Sequence, residues 1–210
     1  MNKPADISEH AHTDEHRDDI GSRFGMWLFI FTELLLFAGL FITYSVFRYK
    51  NWQAFHLAAE ELDTFIGALN TVILLISSAT IAMSITAIQK KQKILSLALM
   101  GVTILIGIIF LINKYFEWSL KIEHGLYPGS EILLQFGQGE VLFFGLYFFM
   151  TGLHALHIIA GLVFIGFVFY YMVKDRVRHD DFVLLENAGL YWHLVDIIWI
   201  FLFPLFYLIT

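Results

Sequence analysis

The sequence predicts an all-α polytopic membrane protein, a bundle of five transmembrane helices with its N-terminus inside and its C-terminus outside. Three observations lead there. Of the 210 residues, 58% are hydrophobic and only 15% are charged, where a soluble domain carries about 25% charge. The apolar residues gather into five long runs, each able to cover a hydrocarbon core that takes roughly 20 residues of helix to cross. Lysine and arginine fall unevenly between the two sides that five crossings define.

Taken in order, residues 1–23 read as a polar cytoplasmic tail, and 24–210 as a single five-helix transmembrane domain. The tail holds His10, His12 and His16 among Glu9, Asp14, Glu15, Asp18 and Asp19. Imidazoles and carboxylates can bind zinc or nickel, but this composition is that of a solvated segment. It also lacks the basic start and cleavage site of a signal peptide. The apolar runs lie at about 24–47, 65–88, 95–117, 141–173 and 187–209. The fourth exceeds the membrane thickness and is expected to tilt or project. Barrel strands are excluded, because they are short and alternate in polarity. The loop over 119–140 carries the turn signals Tyr127-Pro128-Gly129-Ser130 and Gly137-Gln138-Gly139, and Lys174 to Asp181 forms a charged connector. No cysteine is present, so a disulfide, a thiolate nucleophile or a cysteine-held cluster is impossible on this chain. The absence of a basic stripe argues against nucleic acid as a partner.

Orientation follows from the basic residues. Lys3, Arg17, Arg23, Lys90, Lys91, Lys93, Lys174, Arg176 and Arg178 share one side; Arg48, Lys50, Lys114 and Lys121 share the other. The richer side is expected to be cytoplasmic. Trp27, Tyr170, Tyr171 and Trp192 are expected in an inner aromatic belt, and Tyr44, Tyr115, Trp118 and Tyr207 in an outer one.

Ionisable residues inside the runs are the candidates for function, since each costs at least about 2.5–3.5 kcal/mol to insert. Glu33 lies in the first run, His154 and His157 in the fourth, His193 and Asp196 in the fifth, with Glu186 at that run's inner end. At 100° per residue, Glu186, Gly189, His193 and Asp196 share one side of their helix. Tyr147, Thr151, His154, His157 and Gly161 share a stripe of theirs. We therefore expect Glu33, His154, His157, His193 and Asp196 to converge in one buried, hydrogen-bonded cluster, because pairing lowers the burial cost. A satisfied structural core is the plainest role for it; proton handling beside a partner's proton path is the second, and a metal site the third. The i,i+3 pair His154 and His157 suits a metal, but no Glu-x-x-His motif is present. On the second run Asn70, Ser77 and Ser84 recur every seven residues, the mark of a close packing seam. Lys114 and Glu117 read as an i,i+3 pair that snorkels to the outer surface.

Three segments carry a resemblance: Phe31-Thr32-Glu33-Leu34-Leu35-Leu36-Phe37, Thr151-Gly152-Leu153-His154-Ala155-Leu156-His157, and Tyr191-Trp192-His193-Leu194-Val195-Asp196. Their order and spacing resemble the cytochrome c oxidase subunit 3 family of haem–copper oxidases over about residues 22–210, and the Lys114–Trp118 stretch is similar to that family's Tyr-Phe-Glu segment. The chain matches the short five-helix bacterial form, which lacks the two N-terminal helices of the longer one.

The resemblance implies a non-catalytic core subunit of a proton-pumping terminal oxidase in the bacterial inner membrane. Such a subunit supports assembly, stability and proton uptake, and offers a candidate oxygen route through its apolar interior. It implies haem and copper in the partner subunits, with no cofactor, metal or catalytic residue on this chain. The implied partners are the catalytic subunit I, subunit II, further oxidase subunits and membrane lipid. In the long form phospholipid fills a cleft against the two missing helices, so bound phospholipid is an open expectation here. A quinol oxidase subunit or a nitric oxide reductase-associated relative is the alternative, and a small proton-coupled transporter a more distant one.

Overall fold

A computed structural model describes residues 19–208. Five of its helices are long and apolar enough to cross a membrane. They are α1 (Asp19–Lys50), α3 (Thr64–Gln89), α4 (Lys93–Glu123), α5 (Gln138–Val173) and α6 (Val183–Phe203), the last continued by a π-helical turn over Pro204–Leu208. His10, His12 and His16, with Lys3 and Arg17, lie outside the described residues.

The helices outrun the apolar segments. α1 begins at Asp19, within what reads as polar tail, and α4 runs on to Glu123, well past residue 117. A sixth helix, α2 (Trp52–Glu60), occupies what reads as the first loop. Its nine residues bury Phe55, Ala58 and Ala59, an i, i+3, i+4 stripe too short to register as a span. Phe55 packs edge-on against Tyr44 of α1 and Phe143 of α5. Gly139 makes room for α2, since a Cβ there would collide with that of Ala54. Asp63 then starts α3, its Oδ1 accepting from the N–H groups of Phe65 and Ile66 at 2.9 and 3.1 Å.

α3 and α4 form an antiparallel hairpin. α3 buries Gly67, Asn70, Leu74, Ser77, Ile81, Ser84 and Ile88, an alternation of three and four residues. α4 buries Ser96, Met100, Thr103, Gly107, Phe110, Lys114, Glu117 and Lys121 in the same rhythm. Small residues on facing stripes let backbones approach and hydroxyls bond across. Ser84 pairs with Ser96 at 2.9 Å, Thr80 with Thr103 at 2.8 Å, and Asn113 Nδ2 donates to Asn70 Oδ1 at 3.0 Å. Ser77 accepts from Trp192 Nε1 at 2.8 Å.

α6 lies at the centre, packed against α1, α3 and α5. Trp192 is wedged between α4 and α5 over two glycines: a Cβ at Gly107 or Gly161 would stand 2.8 or 2.9 Å from its ring. At the far end of α6, Tyr44 Oη and Thr64 Oγ1 donate to the carbonyls of Leu205 and Tyr207, at 2.7 and 3.3 Å. These bonds serve the last carbonyls, which a helix end leaves without partners.

The expected aromatic belts are corrected by burial. Trp27, Tyr170 and Tyr115 do face outward, but Trp192, Tyr44 and Tyr207 are buried in the bundle. A belt residue must reach lipid headgroups, and these three instead bond across helices.

Candidate polar core

The densest polar site lies on α4, at the two residues expected to snorkel. Because α4 continues to Glu123, Lys114 sits nine residues, about 14 Å, from the helix end. It also falls on the inward stripe that Ser96 begins. Its side chain and that of Glu117 are each 3% exposed. Lys114 Nζ donates to Glu117 Oε2 at 3.1 Å, to Tyr147 Oη at 3.0 Å and to Tyr207 Oη at 2.7 Å. An ammonium has three protons, and all three are used. Glu117 Oε1 accepts from Tyr147 Oη at 2.6 Å and from Tyr207 Oη. The rings of Tyr147, Trp199 and Tyr207 lie 4.8, 5.2 and 5.4 Å from the ammonium, close enough for cation–π attraction. Buried ions are tolerated when geometry and further hydrogen bonds complete them. The site joins α4, α5 and the π-helical turn after α6, and its ring of donors and acceptors offers a short path for a proton to shift among four side chains.

The five residues expected in one cluster are divided among three places. Glu33 of α1 meets His157 of α5, Oε2 to Nε2 at 3.0 Å, while His157 Nδ1 reaches the Leu153 carbonyl at 2.8 Å. This pair lies near the surface, its carboxyl 17% and its imidazole 14% exposed. His193 Nδ1 meets Ser78 Oγ of α3 at 2.7 Å. Asp196 is buried near Ser78. The same hydroxyl bonds the His193 ring, and neither Asp196 oxygen keeps a hydrogen-bond partner of its own among the described residues. His154 is fully buried between the rings of Phe110 and Trp199, centroids 5.7 and 5.2 Å away, with neither nitrogen bonded among the described residues. The single cluster fails for a geometric reason. Residues three apart on a helix differ by about 60° in direction, so His157 reaches α1 while His154 turns to α4 and α6. His193 and Asp196, also three apart, both lie beside Ser78 of α3, away from the other two places.

The secondary candidates also find partners. Glu186 Oε2 accepts from Arg23 Nη2 at 2.7 Å, Asn70 bonds Asn113 as described, and Glu117 belongs to the lysine site. Tyr147 and Tyr207 are the members that sequence reasoning did not assign to this site. The sequence carries a signal for the other two members: extending the Ser96-Met100-Thr103-Gly107-Phe110 stripe by four and three residues lands on Lys114 and Glu117. Among the described residues, no three histidine, aspartate or glutamate side chains come together as a metal set.

Comparison with known proteins places this architecture. The family model for cytochrome c oxidase subunit III matches residues 5–210. The cytochrome bo(3) ubiquinol oxidase subunit 3 of Pseudomonas aeruginosa is 30% identical over 97% of this chain and 93% of its own length. A cytochrome c oxidase subunit 3 of Thermostichus vulcanus is 29% identical over 96% and 92%. The haem-copper oxidase subunit I+III of Aeropyrum pernix is 27% identical, covering 89% of this chain and 22% of that one. On this evidence the chain belongs to the cytochrome c oxidase subunit III family.

Proposed function

We propose that this chain is the non-catalytic core subunit of a proton-pumping haem–copper terminal oxidase in aerobic electron transport, supporting assembly, stability and proton uptake of the catalytic subunit. The observation that carries the reading is the family match across residues 5–210. The Aeropyrum relative supports a direct partnership with subunit I, since its printed name joins subunits I and III in one chain. Haem and copper reside in the partner subunits, with subunit II and membrane lipid completing the surroundings. Lys114, Glu117, Tyr147 and Tyr207 satisfy one another inside the bundle, which suits a supporting subunit. Glu33 and His157 are the exception in placement: they lie at the bundle's edge, within reach of a neighbour, and are the residues we assign to support of proton uptake.

The complex sits in a bacterial inner membrane with the N-terminus inside. The basic-residue bias supports this orientation, and burial strengthens it. Lys114 belongs to the interior, and Lys121 is largely buried with its ammonium on the Glu61 carbonyl. Of the four basic residues on the poorer side, Arg48 and Lys50 then remain as surface charge, in the last turn of α1. The electron donor is cytochrome c, with quinol the second reading because the Pseudomonas relative is a ubiquinol oxidase subunit.

Purification through a tag on this chain tests the assignment. A haem–copper subunit should co-purify, with its haem spectrum intact, and turnover with reduced cytochrome c against quinol should identify the donor. Recovery of the chain without any haem-bearing partner would overturn the reading.

A further inference from the structure

On the side of the bundle that carries the α3–α4 and α5–α6 loops, two helices end alike. After α3 and after α5 the chain turns through a residue of positive φ, Lys91 at 62° and Asp175 at 57°. The N–H groups of Gln92 and Arg176 close these turns onto the carbonyls of Ala87 and Tyr171, both at 2.9 Å. Glycine is the usual occupant of such a position. Both turns instead hold a charged side chain at a conformational cost.

Between the turns lies a cavity of about 170 Å³, floored by Ile88 and Val177 and walled by Lys91, Lys93, Asp175, Arg178 and His179. The wall is braced from within. Lys93 Nζ donates to Asp175 Oδ1 at 2.7 Å, and Arg178 Nε donates to the Asp175 carbonyl at 2.7 Å. One carboxylate thus faces three cationic side chains, and Lys91 has no ion pair among the described residues. The cavity is smaller than the roughly 300–1,000 Å³ that drug-sized ligands occupy. A second hollow shares Lys91 and Lys93 and continues along Ile94, Leu95 and Ala98 on the outer face of α4. Ile94, in the first turn of this apolar helix, is 85% exposed.

We propose that this cavity binds a phosphate group, supplied by an anionic phospholipid headgroup or by free inorganic phosphate. Arginine's planar donors fit phosphate oxygens in pairs, and lysine adds compact charge. The apolar hollow beside the cavity gives an attached acyl chain a place to lie. A free phosphate would use the cationic wall alone.

The test uses the intact oxidase complex with this chain either native or carrying Lys91→Gly with Arg178→Gln. Lys91→Gly removes the ammonium while easing the backbone, so loss of binding cannot be ascribed to a strained turn. Complexes are reconstituted in nanodiscs of phosphatidylethanolamine with phosphatidylglycerol and washed in detergent, and retained lipid is counted by mass spectrometry. Separately, inorganic phosphate is titrated against thermal stability in neutral detergent. For a lipid headgroup, the native complex keeps phosphatidylglycerol, and affinity falls about fivefold for each charge removed. For free phosphate, saturable stabilisation appears in the native complex and not in the variant, with no difference in retained lipid. Equal lipid retention together with no saturable phosphate effect overturns the proposal.

Discussion

α1 and the last helix are both long enough to cross the membrane, yet the bundle uses them in opposite ways. The apolar core of α1 has a mean hydropathy of 2.1, and 11% of its residues are buried; the apolar core of the last span, Val183–Leu208, has a mean hydropathy of 1.6, and 56% of its residues are buried. α1 docks through Ile30, Phe37 and Tyr44, one residue every seven. α6 is buried along most of its circumference, from Leu185 through Trp192 and Trp199 to Leu202, and exposes only the stripe that carries Ile197, Ile200 and Phe201. The more hydrophobic helix is thus the less buried one. Lipid is as apolar as leucine, so packing in a bilayer depends on fit and hydrogen bonds more than on escape from water. Gly107, Gly161, Ser77 and Trp192 provide that fit at the centre. The leucines of α1 provide a face for lipid or a partner.

This contrast can be broken or sharpened by substitution. The largest effect should come from Lys114→Met, which leaves Glu117 buried without its counter-ion. Removing one partner of a buried pair costs about 3–5 kcal/mol. Thermal dissociation of the complex should show a large loss, and Lys114→Met with Glu117→Gln should recover part of it. A double variant as unstable as the single one would argue that the pair does not act as a unit.

Next comes Gly161→Val, which drives a branched side chain into Trp192 and Tyr191. Overpacking of this kind costs about 1–3 kcal/mol. Leu35→Ala on α1, where Leu35 is 57% exposed, should stay within about 0.5 kcal/mol of native. Comparable losses from the two would remove the distinction between the helices.

Glu33→Gln should be milder, because it keeps a hydrogen-bond acceptor for His157 and exchanges a charge-assisted bond for a neutral one. A loss of about 1 kcal/mol in retention of α1 contacts, with lower proton uptake and unchanged haem spectra, is the expected result. Loss of haem from the partner would show that the effect is not confined to this edge.

Asp175→Asn should have the smallest effect. The Lys93 ammonium, by hydrogen bond and by charge, holds the Asp175 carboxyl below the usual carboxylate range. A depressed carboxylate stabilises the fold above its unfolded value and loses that contribution as pH falls through its folded value. The native and Asn melting curves should therefore differ slightly at neutral pH and converge in acid. A difference that widens in acid would assign it to something other than this ion pair.

Much of this architecture was legible in the sequence, and the reasons differ from residue to residue. Asn70, Ser77 and Ser84 sit at intervals of seven on one stripe, and one helix's own periodicity suffices to place them inward. The same arithmetic, carried past Phe110, places Lys114 and Glu117 inward as well. The apolar run ends at residue 117, and the helix that continues to Glu123 is what makes this end interior. Tyr207 is a different case. Its phenol reaches Glu117 only because a π-helical turn follows Pro204, and nothing in the spacing of residues on α6 announces that turn. His154 and His157 share a stripe at the resolution of a helical wheel, but which neighbour each one meets depends on where α1 and α4 stand.

The sequence by itself determined the solvent, the number of crossings and the family, because these follow from run length, composition and ordered motifs along one chain. Only the tertiary structure decided how the ionisable residues are shared out. Burial of Lys114 with Glu117, the edge position of Glu33 with His157, and the isolation of His154 each require the relative rotation of two or three helices. That rotation is set by glycines and tryptophans meeting across the bundle, a property of pairs of helices that no single helix carries.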